Sequence, residues 1–192
     1  MGEVIAVRFG KGGGKILSGS QPELAGRLAR RARAIGGDPN RAGEAERLYR
    51  DAIQLDPECP GAHAGLGRLL LTKEHYEEAE ELLEHASTLD PRDAEAFLGL
   101  GILRLATNDP HAAVLLFTRA LHADGDLALA HGYLALSCEL LGRHDHALRH
   151  WKRYAALDPT GPLAGAAVRS LRRQLAWEMK PSQAANANGR RL

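Results

Sequence analysis

The sequence predicts an all-α fold in which one helix pair is copied about four times and stacked. Three residue ladders predict it, each with a step of 34. Ala45, Ala79, Ala113 and Ala147 form the first. Tyr49, Leu83, Phe117 and Trp151 form the second, and Pro57, Pro91, Gly125 and Pro159 the third. A long fixed period means one structural unit repeated. Stacked repeats build a surface more readily than a catalytic pocket. Composition agrees: 44% hydrophobic and 26% charged is ordinary for a globular chain, but aromatics make up only 5%. Close helix approach must therefore rest on small residues.

Residues 1–20 stand apart as a flexible leader. Val4, Ile5 and Val7 give a short β-branched stretch, and the glycine-lysine run over 10–15 cannot hold a helix. Pro22 suits a first helical position. Leu24, Leu28 and Ala32 share one face of a helix ending at Ile35, before Gly36, Gly37, Asp38 and Pro39. A second helix over about 41–55 stops at Asp56-Pro57, so the first repeat covers 21–59. The pattern recurs over 60–93, 94–127 and 128–161. Turns fall at 73–75, 108–109 and 142–143, and joints at Asp90-Pro91, Asp124-Gly125 and Asp158-Pro159. Proline lacks the N–H that would continue the preceding helix. A last helix is expected over 162–180. Leu163, Val168, Leu171, Leu175 and Trp177 would cap the apolar end of the stack, with Arg169, Arg172 and Arg173 toward water. Residues 181–192 have the composition of a disordered tail.

Net charge is +1 but unevenly spread. Seven cations against two carboxylates in residues 1–36 give +5, six against one in 165–192 give another +5, and the middle carries −9. Two basic ends on an acidic body suit an acidic partner or folding back on the body. Cys59 and Cys138 make no disulfide framework, which fits reduced thiols in a cytoplasmic protein. No stretch reads as a signal-peptide core, and no apolar run approaches the roughly 18 residues of a membrane span. Ala6 stands where a myristoylation signal beginning Met1-Gly2 needs Ser or Thr.

In phase with the ladders stand Leu66-Gly67, Ala86, Leu100-Gly101, Ala120 and Leu134-Ala135. With them the chain resembles the tetratricopeptide repeat (TPR) family over roughly 22–161. The earliest copy keeps the second-helix half faithfully, as Ala45, Tyr49, Ala52 and Pro57, and its turn is about three residues longer. Departures are modest: His63, Phe97 and His131 fill a first-helix aromatic slot, Tyr154 replaces a small residue, and Gly125 replaces proline. The resemblance implies a right-handed α-solenoid of about four helix-turn-helix repeats plus a C-terminal capping helix. It also implies that the first helix of each repeat lines a concave groove.

Mapping that phase onto the chain places Arg68 and Leu71 in the groove from one repeat. Glu95, Leu98, Ile102 and Leu105 come from the next, and Leu129, Leu136, Glu139 and Leu140 from the one after. So apolar a face suits a partner helix or peptide with spaced apolar anchors. One family subclass clamps C-terminal carboxylates with Lys, Asn and Arg. The matching positions here are Ala64, Arg68, Gly99, Leu129 and Tyr133, only one of them cationic, so such clamping is not expected.

The run over 10–15 is one residue short of a phosphate loop, and Ile16 stands where Ser or Thr would meet magnesium. His144, His146 and His150 read as a solvated helix face, and the glutamates at 74, 77, 78, 80, 81 and 84 as an outer surface. No nucleophile–base motif is present. The expected protein is a bacterial-type, non-catalytic adaptor or scaffold for a protein or peptide partner, with no cofactor, metal or nucleic acid. Its alternatives are a secretion-type chaperone shielding an apolar client segment, and a scaffold that self-associates through its leader or last helix.

Overall fold

The computed structural model describes residues 19–178; the leader motifs and the polar tail fall outside these. Among the described residues the regular elements are helical throughout. They are α1 (Gln21–Ile35), α2 (Ala42–Leu55), α3 (Pro60–Leu71), α4 (Tyr76–Leu89), α5 (Ala94–Ala106), α6 (Pro110–Ala123), α7 (Ala128–Leu140), α8 (His144–Leu157) and α9 (Ala164–Glu178). A 3-10 turn, Pro39–Arg41, fills the longer first connection.

The repeat joints are set by aspartate more than by proline. Asp56, Asp90 and Asp124 leave their helices in extended backbone. Each accepts, through Oδ1, the backbone N–H two residues on, at 3.1, 2.8 and 3.0 Å. This side-chain turn needs no proline ring, which is why Gly125 closes a joint as well as Pro57 does. Asp93 and Asp109 then cap the following helices, Asp93 accepting from Glu95 and Ala96 and Asp109 from Ala112. Within the pairs the turn residues Glu74, Asn108 and Gly142 all take left-handed backbone, with φ of 62, 61 and 70°. They too are 34 apart.

The chain divides at 127/128, a repeat boundary, into two compact units. In unit 1, α1 pairs with α2, α3 with α4 and α5 with α6, while α3 packs on α1, α2 and α5. The ladder residues are its core: Ala45, Ala79, Ala113, Leu83 and Phe117 are buried. Small residues allow the approach. A Cβ on Gly67 would lie 2.7 Å from Leu83 Cγ, closer than real atoms come. Fully burying a leucine of this kind contributes about 1.5–3 kcal/mol.

Unit 2 comprises α7, α8 and α9, with α8 packed on both others. Trp151 and Tyr154 are fully buried and meet edge to face, with centroids 6.1 Å apart. Tyr154, at a position where alanine stands in the earlier repeats, reaches past α8: its hydroxyl accepts from the Leu163 backbone N–H at 2.9 Å. Gly132 makes room beneath this, since a Cβ there would lie 2.6 Å from Leu163 Cδ1. One expectation for α9 is corrected. Val168 is 43% exposed, and Ala167 is the buried residue of that turn. The inward stripe runs through Leu163 and Ala167 at i, i+4, which leaves Val168 about 100° around the helix. The side chains of Leu175 and Trp177 lie outside those described.

Candidate partner-binding face

In unit 1 the first helices of the pairs share a face that a charged cluster marks. Glu95 at the start of α5 receives two guanidinium groups. Arg33 of α1 lies 2.7 Å from Oε1, and Arg68 of α3 pairs with Oε2. These contacts hold α1, α3 and α5 in one register at the surface. Beneath lies Tyr49, its hydroxyl pushed up by burial and partly pulled back by Arg68 and Arg33. Burial likewise raises the Asp93 carboxyl, against the N–H bond from Ala96.

The apolar positions divide by depth. Ile102 and Leu105, at i+7 and i+10 from Glu95, are half-buried and keep an open side. Leu98 and Leu71 were expected in the groove but belong to the core, at 0% and 9% exposure. The reason lies in their neighbours. Ala64, Ala86 and Ala96 form one buried cluster, and Gly99 has no side chain to hold Leu83 away. Arg68 and Glu95 are half-buried and engaged with each other, so they are fixed charges on this face.

In unit 2 one corresponding position, Glu139, meets α9. Leu129 and Leu136 on α7 are half-buried, and Leu140 is 69% exposed. Glu139 was expected to face a partner. Instead its Oε1 accepts from Trp151 Nε1 at 3.2 Å and Ser170 Oγ at 2.5 Å, with Arg173 at 3.6 Å. One carboxylate thus ties α7, α8 and α9 together. No motif flagged Arg33 or Ser170; both act through partners that the 34-residue period does not relate to them.

The histidines of α8 do not act as a set. His146 meets Arg149 and His150 turns inward to His131, 3.0 Å between Nδ1 atoms. Burial, aided by His131, Arg149 and His146, pushes His150 down to about 4. Among the described residues no three His, Cys, Asp or Glu are placed to hold a metal ion. None of the described helices is long and apolar enough to cross a membrane. On α4, Glu80 bridges to Arg104 at 2.5 Å and Glu78 lies 3.9 Å from Arg50, while Glu77, Glu81 and Glu84 are exposed.

Two tetratricopeptide repeat models match the sequence, over residues 38–101 and 98–162, together well over half of the chain. No curated protein matches it. Among solved structures the fold is similar to YrrB, a TPR protein with an unusual peptide-binding site, at TM-score 0.55 and 22% identity over 82% of this chain and 79% of that one. It is similar to MamA at 0.54 and 24%, over 75% and 94%. It is also similar to a mutant O-GlcNAc transferase from Thermobaculum terrenum at 0.62 and 24%, over 72% of this chain but 28% of the transferase. At these identities the likeness is one of fold.

Proposed function

Because the chain belongs to the tetratricopeptide repeat family, we propose that it is a non-catalytic adaptor that docks a helix or extended segment of a protein partner. The docking face is the one built by α1, α3 and α5. The observation that carries this reading is the pairing of half-open Ile102 and Leu105 with the fixed charges of Arg33, Glu95 and Arg68 on that face. Apolar anchors give affinity, and adjacent fixed charges select register. The peptide-binding site of YrrB is a precedent on this fold.

The test is a capture experiment with the purified chain and extract of its source cells. Leu105→Glu is expected to lose the captured partner while helical circular dichroism stays intact. Undiminished capture overturns the reading.

A second reading is self-association through unit 2. It is supported by Leu140 and Val168, large apolar side chains exposed at 69% and 43%. Light scattering would then show a dimer that Leu140→Glu dissolves; a monomer at all concentrations excludes it.

A further inference from the structure

One first-helix slot recurs at residues 63, 97 and 131 and is satisfied differently each time. Phe97 lies under the Arg119 guanidinium, 4.1 Å from the ring centroid. His131 pairs with His150. His63 is 6% exposed, and its Nε2 lies 2.7 Å from the Pro57 carbonyl oxygen. A carbonyl only accepts, so Nε2 carries the proton and Nδ1 of the neutral ring is an acceptor. Burial holds the ring below the usual histidine range, which keeps it neutral at pH 7. Nδ1 is buried and has no hydrogen-bond partner. An unmet buried acceptor of this kind calls for an explanation.

Beside it lies a cavity of about 360 Å³ lined by residues of α2, α3 and α4. Ile53, Leu66 and Leu82 give it apolar walls, and Glu81 together with Arg50 and Glu78, paired with each other, lie at its polar side. The His85 ring stands edge-on to His63, centroids 4.6 Å apart, and is itself exposed. Both rings line the cavity.

We propose that this cavity binds an indole-type ring, a planar apolar heterocycle whose single N–H donates to His63 Nδ1. The walls suit a flat apolar body, and the volume is that of a small-ligand site. The lone acceptor asks for a group that only donates. A phenol or an amide also brings oxygen lone pairs, for which the donor at hand is Arg50, already paired with Glu78. An ammonium pairs with Glu78 or Glu81 at the polar side rather than with His63. His85 supplies a ring against which the guest packs edge to face. The site is independent of the face built by α1, α3 and α5.

The test is a titration of the full chain followed by amide and histidine NMR, with indole and N-methylindole as probes. Indole is expected to shift resonances of α2, α3 and α4, and N-methylindole, which lacks the donor, to bind at least tenfold more weakly. His63→Phe should bind indole as weakly as N-methylindole binds the native chain. It is expected to fold, since Phe97 fills the same slot one repeat on; if it does not, the comparison of probes on the native chain still decides. A Gly-Gly-Trp-Gly-Gly peptide separates the sources: tighter binding than free indole assigns the site to a partner's tryptophan, weaker binding to a small molecule, and either supports the site. Equal affinity for indole and N-methylindole, or no shift with either, overturns the proposal.

Discussion

The two units put a glutamate to opposite uses on their first-helix faces. Glu95 in unit 1 gathers Arg33 and Arg68, two side chains from neighbouring first helices, and Arg33 stays 59% exposed. Glu139 in unit 2 gathers Trp151, Ser170 and Arg173, which binds its face to the helix that follows. The first arrangement stiffens a face and leaves it accessible. The second ties α7 to the helix that follows. A repeat register thus assigns a residue to a face, while the next element along the chain decides whether that face is free.

The largest test of this difference is Trp151→Ala. It empties a fully buried site and removes the donor that Glu139 accepts, so a loss of about 3–5 kcal/mol is expected in urea unfolding. Hydrogen exchange should speed up across α9 as well as α8. Protection of α9 that survives would mean that Glu139 does not hold it through Trp151. Next comes Glu139→Ala, which leaves a buried indole N–H unpaired and should cost about 1–3 kcal/mol. Glu95→Ala should cost about 1 kcal/mol or less, because Arg33, 59% exposed, regains water, although Glu95 itself is 18% exposed. Similar losses for the two variants would erase the distinction.

Acid sharpens the comparison further. His150 sits near 4 when folded against 6.5 in its ordinary state, so between these values the unfolded chain binds more protons. Stability is then complete above about pH 6.5 and declines as pH falls toward 4. After discounting for partial exposure, the loss is on the order of 1 kcal/mol. His150→Gln should flatten that limb in a pH series of thermal melts; an unchanged slope would place the acid sensitivity elsewhere. The smallest effect concerns the left-handed turns. Glu74 holds φ 62° where Gly142 holds 70°, so Glu74→Gly should gain about 0.5–1 kcal/mol, net of glycine's greater freedom when unfolded. Gly142→Ala should lose a similar amount.

Much of the fold was legible because the period is a packing rule. Ala79 and Leu83 must recur if identical helix pairs are to nest, so the ladders named the core directly. The joints were legible through Asp-Pro, although aspartate proves to do the turning at Gly125. The site was legible only as a direction. Leu98 and Leu105 are both on the inner side of α5, and nothing in the spacing distinguishes them. Depth depends on how closely other helices approach α5, here past Gly99, where a Cβ would meet Leu83 of α4. Arg33 escaped notice because the longer first turn puts α1 out of step with the period. Glu139 is engaged by Ser170 and Arg173, which come from a helix outside the repeat. Val168 faces out because its angle on the helix, not its apolar character, sets its side.

We propose that the face of α1, α3 and α5 receives the partner, whereas Glu139 on α7 is taken up by contacts to Ser170 and Arg173 of α9. Amide shift mapping tests it most directly, using a peptide selected from a random library against the native chain. The account predicts shifts centred on Arg33, Arg68, Glu95, Ile102 and Leu105, lost with Leu105→Glu. Shifts confined to α7, α8 and α9, with Leu105→Glu binding as well as the native chain, would contradict it.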